Sequence, residues 1–527
     1  MSKREVFEVR EPVDGERSPS GSDLVLPQKS GSSQDHADMH RMGKQQQLNR
    51  AFNSVSILGL TCVIMATWQA ILSTSTFSLI NGGKGGSIWL YLATWFFTML
   101  VTASMAEMQS MAPTSGGQYH WVSEFAPPSI QKTLSYISGW LSALGWQAFI
   151  ASAAFGTGQL ILLCASTANP SFVFTAWQGT LLTFAIAIFA AAFNTFLAKR
   201  LPVFEGIVLF FHIIGFFAML IPLWVLAPKS SASEVFGDFQ NYGGWSSIGT
   251  ACIVGQLAAS SAFVGVDSAA HMSEEVNNAS VTVPRMMIGT VVINGALGFV
   301  AIITYMFVIQ DVETQILGST AVYPWIEVFA VATGSTGGAI GMTIPIIIIS
   351  FGMTINATAA ASRQAWSFAR DKGLPFPDWF TKVTSIDKVP LPLNAMAASM
   401  FICFILALLN LGGSEVFNSI IGLMNGAVGF TYAISIGCVL WRRLFGEPLP
   451  PARWSFGWFG VPCNVIAFLY QLFTTIISFF PIFAQVTAKS MNWGIAMFGG
   501  VAIIAAVYYT LLGRKVYRGP VVNIIKY

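Results

Sequence analysis

The chain has 527 residues, of which 54% are apolar and only 10% charged, with a formal net charge of +3. A soluble domain carries roughly 25% charged residues, so this composition excludes a water-soluble globular surface, and the small net charge, gathered near the ends of apolar runs, excludes nucleic acid as a partner. Six cysteines (Cys62, Cys164, Cys252, Cys403, Cys438, Cys463) stand singly in or beside apolar runs, without a CxxC pair or metal-ligand spacing, and read as small buried residues.

Residues 1–50 are rich in Ser, Gln, Asp, Lys and Arg and lack the apolar centre of a signal peptide, which predicts a disordered cytosolic tail. Beyond it the apolar residues fall into blocks near the roughly 20 residues that a helix needs to cross a bilayer. These blocks start near Val55, Gly86, Tyr136, Trp177, Val203, Ile248, Met286, Val328, Pro392, Val416, Cys463 and Trp493. Irregular backbone cannot face lipid, so twelve such blocks predict an all-α, multi-pass membrane bundle.

Cytoplasmic loops carry an excess of Lys and Arg. With the N-terminus inside, the outer side receives only Lys84, Lys229 and Lys489, leaving 24 of the 27 basic residues inside, so both termini are expected to be cytosolic. The sequons at Asn278 and Asn356 then fall in a cytosolic loop and within a span, where neither is a glycosylation site.

Carriers built from inverted repeats bind solute near the midplane, at helices interrupted at corresponding positions of two halves. Span one holds Trp68, Gln69 and the hydroxyl cluster Ser73, Thr74, Ser75, Thr76 and Ser78; span six, five helices later, holds Gln256, Ser260, Ser261, Gly265, Asp267 and Ser268. Interrupting a helix in lipid frees N–H groups suited to a carboxylate and carbonyls suited to an ammonium. A lone hydroxyl in a span ordinarily bonds back to its own turn; five within six positions point to a ligand. Gln69, Ser73, Thr74, Ser75, Thr76, Ser261, Gly265 and, in span eight, Asn356 are therefore candidate solute contacts. Trp146 and Phe263 join them as aromatic faces for an ammonium.

Four ionisable residues within spans are costly there: Glu107, Glu205, His212 and Asp267. Asp267, beside Gly265 with no basic residue near it in sequence, is the expected proton-coupling carboxyl, the alternative being a carboxylate bonded to freed backbone N–H groups. His212, about two turns beyond Glu205, is either a proton relay or a core hydrogen-bonding group. Glu107 and Glu205, near cytosolic ends, are expected to snorkel or to pair at an inner gate.

Four stretches resemble fungal members of the amino acid/choline transporter branch of the amino acid-polyamine-organocation superfamily. They are residues 106–124 (AEMQSMAPTSGGQYHWVSE), 138–141 (SGWL), 262–280 (AFVGVDSAAHMSEEVNNAS) and 361–375 (ASRQAWSFARDKGLP). The resemblance implies a five-plus-five inverted repeat (55–228 and 248–443) with two extra helices (463–512) and a short cytosolic tail from residue 513. It further implies a solute site between spans one, three, six, eight and ten, and proton-driven uptake of amino acids, choline, γ-aminobutyrate or thiamine-like cations at a plasma membrane. No cofactor is expected beyond the proton gradient. Span one lacks the glycine-bearing loop of many relatives, which leaves choline-like or alkaloid-like amines open beside amino acids.

The alternatives are sodium coupling through Thr354 or Thr358 of span eight, and a sensor signalling through its long tail. No GxxxxGK[ST] or HExxH occurs, and a single aspartate lies deep in a span, which argues against an ATP-driven pump, a zinc protease and an aspartyl protease alike.

Overall fold

In the computed structural model residues 31–520 are described, apart from 320, 413, 414 and 489, and of residues 415–418 the backbone alone. Eleven helices among them are long and apolar enough to cross a membrane: spans one (Ser54–Ile80), two (Gly83–Met111), three (Gln131–Ala168), four (Ala176–Phe196), five (Ala198–Leu226), seven (Ala279–Val308), eight (Thr336–Arg370), nine (Leu393–Gly412), ten (Ser419–Phe445), eleven (Gly457–Ile477) and twelve (Gly494–Val516). Span six accounts for the twelfth apolar block, yet its helical part, Ile248–Ser261, is short. The chain leaves the helix at residue 262 and resumes it only at Ser268–His271. The fold is thus an all-α membrane bundle; the one sheet among the described residues is the hairpin of Thr384–Ile386 and Val389–Leu391 between spans eight and nine. Span eight starts later than its hydropathy suggests. Trp325–Thr333 forms a separate helix, ended by Gly334 in the left-handed region at φ 61°.

Packing repeats with a period of five helices. Span one packs on six, two on seven, three on eight and four on nine; span five packs on one and eight, as span ten packs on six and three. Polar residues line these contacts: Asn294 of span seven donates to the Cys62 carbonyl of span one, and Asn194 of span four to the Ile355 carbonyl of span eight. Each such bond satisfies a group that lipid cannot.

Both described chain ends lie at one end of the bundle, here termed the terminal face. Of residues 1–50, expected to be a disordered tail, 1–30 lie outside the described residues and 31–50 are ordered there. Ser32 caps a helix Ser33–Arg41 through a capping box, and Met39, Met42 and Leu48 are buried. The Asp35 carboxylate in turn caps span seven, accepting from the N–H groups of Asn278 at 2.8 Å and Ala279 at 2.9 Å. Composition hid this segment because polar capping and ion pairing, more than apolar area, hold it. At the other end of the chain Tyr517 is buried, its hydroxyl 2.6 Å from Ser135.

Candidate functional site

Span one is broken at Ala66, which sits in the left-handed region at φ 41°, ψ 42° between the helices Ser54–Met65 and Thr67–Ile80. The sequence sets no break point in span one, and no glycine marks it. An L-residue here costs about 1–2 kcal/mol, which the surrounding packing must outweigh. Span six breaks where expected, with Gly265 at φ 102°. A Cβ at Gly265 would stand 2.6 Å from Ile64 Cγ2 and 3.4 Å from Phe149, so only glycine lets the two broken helices and span three come this close.

Beside the two breaks lies a cavity of ≈ 120 Å³. Its walls come from spans one (Ala66, Gln69, Ser73, Thr74), three (Phe149, Ser152, Gly156), six (Ser261, Val264), eight (Ser350, Met353) and ten (Ile421, Met424), with Tyr323 from the segment before Trp325–Thr333. Among the described residues none of the lining side chains is charged. The Gln69 amide is only 4% exposed, and neither its oxygen nor its nitrogen has a protein partner; the Ser152 hydroxyl is likewise bare. A buried amide without partners costs about 1–3 kcal/mol, so these groups are placed to bond something that the cavity holds.

Of the expected contacts, Gln69, Ser73, Thr74 and Ser261 line this cavity. Ser73, Thr74 and Ser261 also donate to carbonyls three or four residues back in their own helices, the ordinary behaviour of span hydroxyls, and Thr74 lies 3.0 Å from the Ala258 carbonyl of span six as well. Ser75 donates to Leu72 and lies outside the lining, as does Thr76. Phe263 faces the other side of span six, against Tyr91 at 5.3 Å. Asn356 is not at the cavity; it donates to Glu205 Oε2 at 2.7 Å. Ser152, Tyr323, Met353 and Met424 were not singled out by the sequence, since single Ser, Tyr or Met residues in apolar spans carry no periodic signal.

Asp267 lies below Gly265, 1% exposed. Its partners are side chains and not freed N–H groups: Tyr432 Oη at 2.5 Å, Gln118 Nε2 at 2.8 Å, Trp146 Nε1 at 3.1 Å and His271 Nε2 at 3.2 Å. A basic residue does stand near in sequence, one helical turn on, at His271. Trp146 stacks on Phe149 with ring centres 5.3 Å apart, so the carboxylate is one aromatic pair removed from the cavity wall. His212 is not part of this group. Its Nε2 meets Asn294 Oδ1 at 3.0 Å and its ring lies 6.0 Å from Trp68, tying span five to spans one and seven.

Toward the terminal face the sequence stretches singled out above meet in one knot. Ser115 O meets His271 Nδ1 at 3.0 Å, Tyr119 donates to Asp371 at 2.8 Å, Arg370 grips Glu274 with two bonds, and Gln364 donates to the Gly139 carbonyl at 3.4 Å. Lys44, buried against Asp371 at 3.1 Å, Arg41 on Glu124 at 2.7 Å and Arg363 on Glu275 at 2.8 Å close the same face. Burial pushes the Lys44 ammonium below its usual value, against the pull of Asp371. Glu107 is paired with Arg443 and also accepts from Ser455 and the Phe456 N–H. Glu205 has no such pair and does not snorkel: it is fully buried, with neither solvent nor a cation beside it among the described residues.

A sequence profile of the amino acid permease family matches residues 52–503. The chain belongs to this family. An uncharacterized amino-acid permease of Schizosaccharomyces pombe is 27% identical over 92% of this chain and 89% of its own length. The choline transporter of Saccharomyces cerevisiae is 26% identical over 89% and 83%, and the GABA-specific permease of the same yeast 27% identical over 93% and 86%. The protein is thus a multi-pass membrane transporter of a small solute and not an enzyme.

Proposed function

We propose that this permease carries a small amine-bearing solute, an amino acid or a choline- or γ-aminobutyrate-like compound, through the cavity at Gln69, with accumulation driven by protons. What supports the reading is the cavity itself: uncharged, bounded by two broken helices, with bare polar atoms on Gln69 and Ser152. An ammonium finds there the carbonyls released at Ala66 and the faces of Phe149 and Tyr323, an attraction of about 1–2 kcal/mol when desolvated. A carboxylate finds the bare Gln69 amide nitrogen and Ser152 hydroxyl. Met65, Met353 and Met424 add walls that adapt to shape. The relatives named for choline and for γ-aminobutyrate carry solutes of this chemistry.

In this reading Asp267 is the coupling carboxyl. It ties spans three, six and ten to the helix Gln118–Phe125, and a proton on it removes acceptor capacity from those ties, loosening the terminal face. His212 serves the packing of spans one, five and seven. Sodium coupling has less support, because Thr354 and Thr358 both donate to carbonyls of their own helix. The basic residues Arg363, Arg370, Arg442 and Arg443 gather at the terminal face, which favours cytosolic termini, and proton-driven uptake suits a plasma membrane. A cell-based uptake assay with a labelled amine, challenged by amino acids, choline and polyamines, identifies the solute. Repeating it with the pH gradient collapsed and with sodium replaced tests the coupling: uptake that follows sodium and ignores the proton gradient refutes it.

A further inference from the structure

Among the described residues Glu205 is the one buried carboxyl with neither a basic partner nor a place at the cavity. It stands about one turn inside the terminal end of span five, completely buried. Its Oε2 accepts from Asn356 Nδ2 of span eight at 2.7 Å, while its Oε1 and the Asn356 oxygen have no partner. Span one presses on it directly, since a Cβ at Gly59 would lie 2.6 Å from the Glu205 carbonyl oxygen.

Among the described residues nothing in the surrounding elements neutralises it. Helix Ser54–Met65 of span one brings only Cys62, whose thiol faces Thr290. Span seven brings Arg285, which is exposed, and buried Tyr305; span eight brings Arg363 and Arg370, engaged with Glu275 and Glu274 respectively. Lys199 and Arg200 at the head of span five and Glu327 in helix Trp325–Thr333 are exposed, and His212 on span five itself is held by Asn294. Asp267 has four partners for its two oxygens; Glu205 has one. Two charges taken from water can offset each other, but a lone carboxylate here has no such offset, so the acid form is the cheaper one while these helices stay packed.

We propose that Glu205, paired with Asn356, is a second proton site of this transporter, closed to water while the first half of span one packs on it and open when that half-helix moves. The half-helix Ser54–Met65 ends at the joint of Ala66, about 10 Å beyond Gly59 at 1.5 Å per residue, so rotation at the joint that opens the terminal face lifts Gly59 off span five. Water then reaches Glu205, its O–H bond breaks, the proton leaves to that water and the carboxylate is hydrated; reclosure requires a proton to return to Oε1. The proton is thereby linked to the position of span one and not to solute contact.

This inference rests on the reading that transport is proton-coupled, and the test separates the two. Purified protein in sealed vesicles is given the transported solute under an imposed pH gradient, and solute-dependent proton entry is followed with a trapped pH dye. Wild type without such entry refutes proton coupling itself. With entry in wild type, Glu205→Gln is expected to lose accumulation driven by the gradient, a coupling factor of about 5- to 150-fold, while solute counterflow without net proton movement continues. Coupled entry retained in Glu205→Gln overturns the proposal. Should that variant fail to fold, Asn356→Leu keeps the carboxyl and removes the one donor to its charged form, so the pH midpoint of coupled uptake is expected to move toward higher pH; an unmoved midpoint overturns it equally.

Discussion

Gly265→Ala tests whether the meeting of the two broken helices shapes the cavity. At φ 102° an alanine is strained, at about 1–3 kcal/mol. Its Cβ, placed 2.6 Å from Ile64 Cγ2, adds an overpacking cost of about 1–3 kcal/mol. Ile64 and Phe149, the two side chains met, are both cavity walls, so part of the second cost is relieved by their moving into the space the solute needs. Stability is therefore expected to fall by about 2–4 kcal/mol, and solute affinity by about tenfold, the equivalent of 1.4 kcal/mol of displaced contact. Thermal unfolding in detergent reads the first and the concentration dependence of uptake the second. Gly341→Ala in span eight, where an added methyl meets nothing within 4 Å, is the control. A Gly265→Ala protein as stable and as tight-binding as Gly341→Ala refutes the reasoning.

Asp267→Asn keeps the shape but gives up charge-assisted bonds from Tyr432, Trp146 and Gln118. A loss of about 2–3 kcal/mol in thermal stability and of proton-driven accumulation is expected, and undiminished accumulation in vesicles would remove Asp267 from the mechanism. Gln69→Leu removes the only lining amide among the described residues, so affinity should fall by about 1–3 kcal/mol, read as a raised KM with the fold intact by size-exclusion chromatography. At the terminal face, burial pushes the Asp35 carboxyl up, but Arg50 and the N–H groups of Ser32, Ala279 and Asn278 outweigh it and hold it below its ordinary value. A depressed acid contributes stability above its unfolded value of about 3.9 and loses it as pH falls through the lower folded value. Docking of residues 33–50 should thus persist from neutral pH to about 4 and fail in stronger acid, whereas Asp35→Asn weakens it throughout; hydrogen exchange of that segment against pH checks both.

The spans were legible in the sequence because lipid demands long apolar helices, and the cavity's five contributing spans followed from the family resemblance. Individual contacts were less so. The hydroxyl cluster of span one reads as a ligand set, yet its period takes Ser75 out of the cavity lining and leaves Ser73 and Thr74 in it. The break at Ala66 gives no signal, as alanine is the best helix former and only tertiary packing holds it left-handed. Glu205 and Glu107 occupy equivalent-looking positions near span ends, and only packing reveals that one meets an arginine and the other an amide. Gln118 and Tyr432, far apart in sequence, become partners of Asp267 because the helix Gln118–Phe125 and span ten pack on span three and on each other.

Because the elbow of span one is built at an alanine, it is a cocked spring. A glycine there would rest at ease in the bend; Ala66 relaxes by returning to negative φ, which redirects one half of the span relative to the other. Whenever neighbouring helices slacken their hold, about 1–2 kcal/mol of backbone tension favours that change. The permease therefore carries within its main chain a small term that packing must outweigh for as long as the shape seen here is kept.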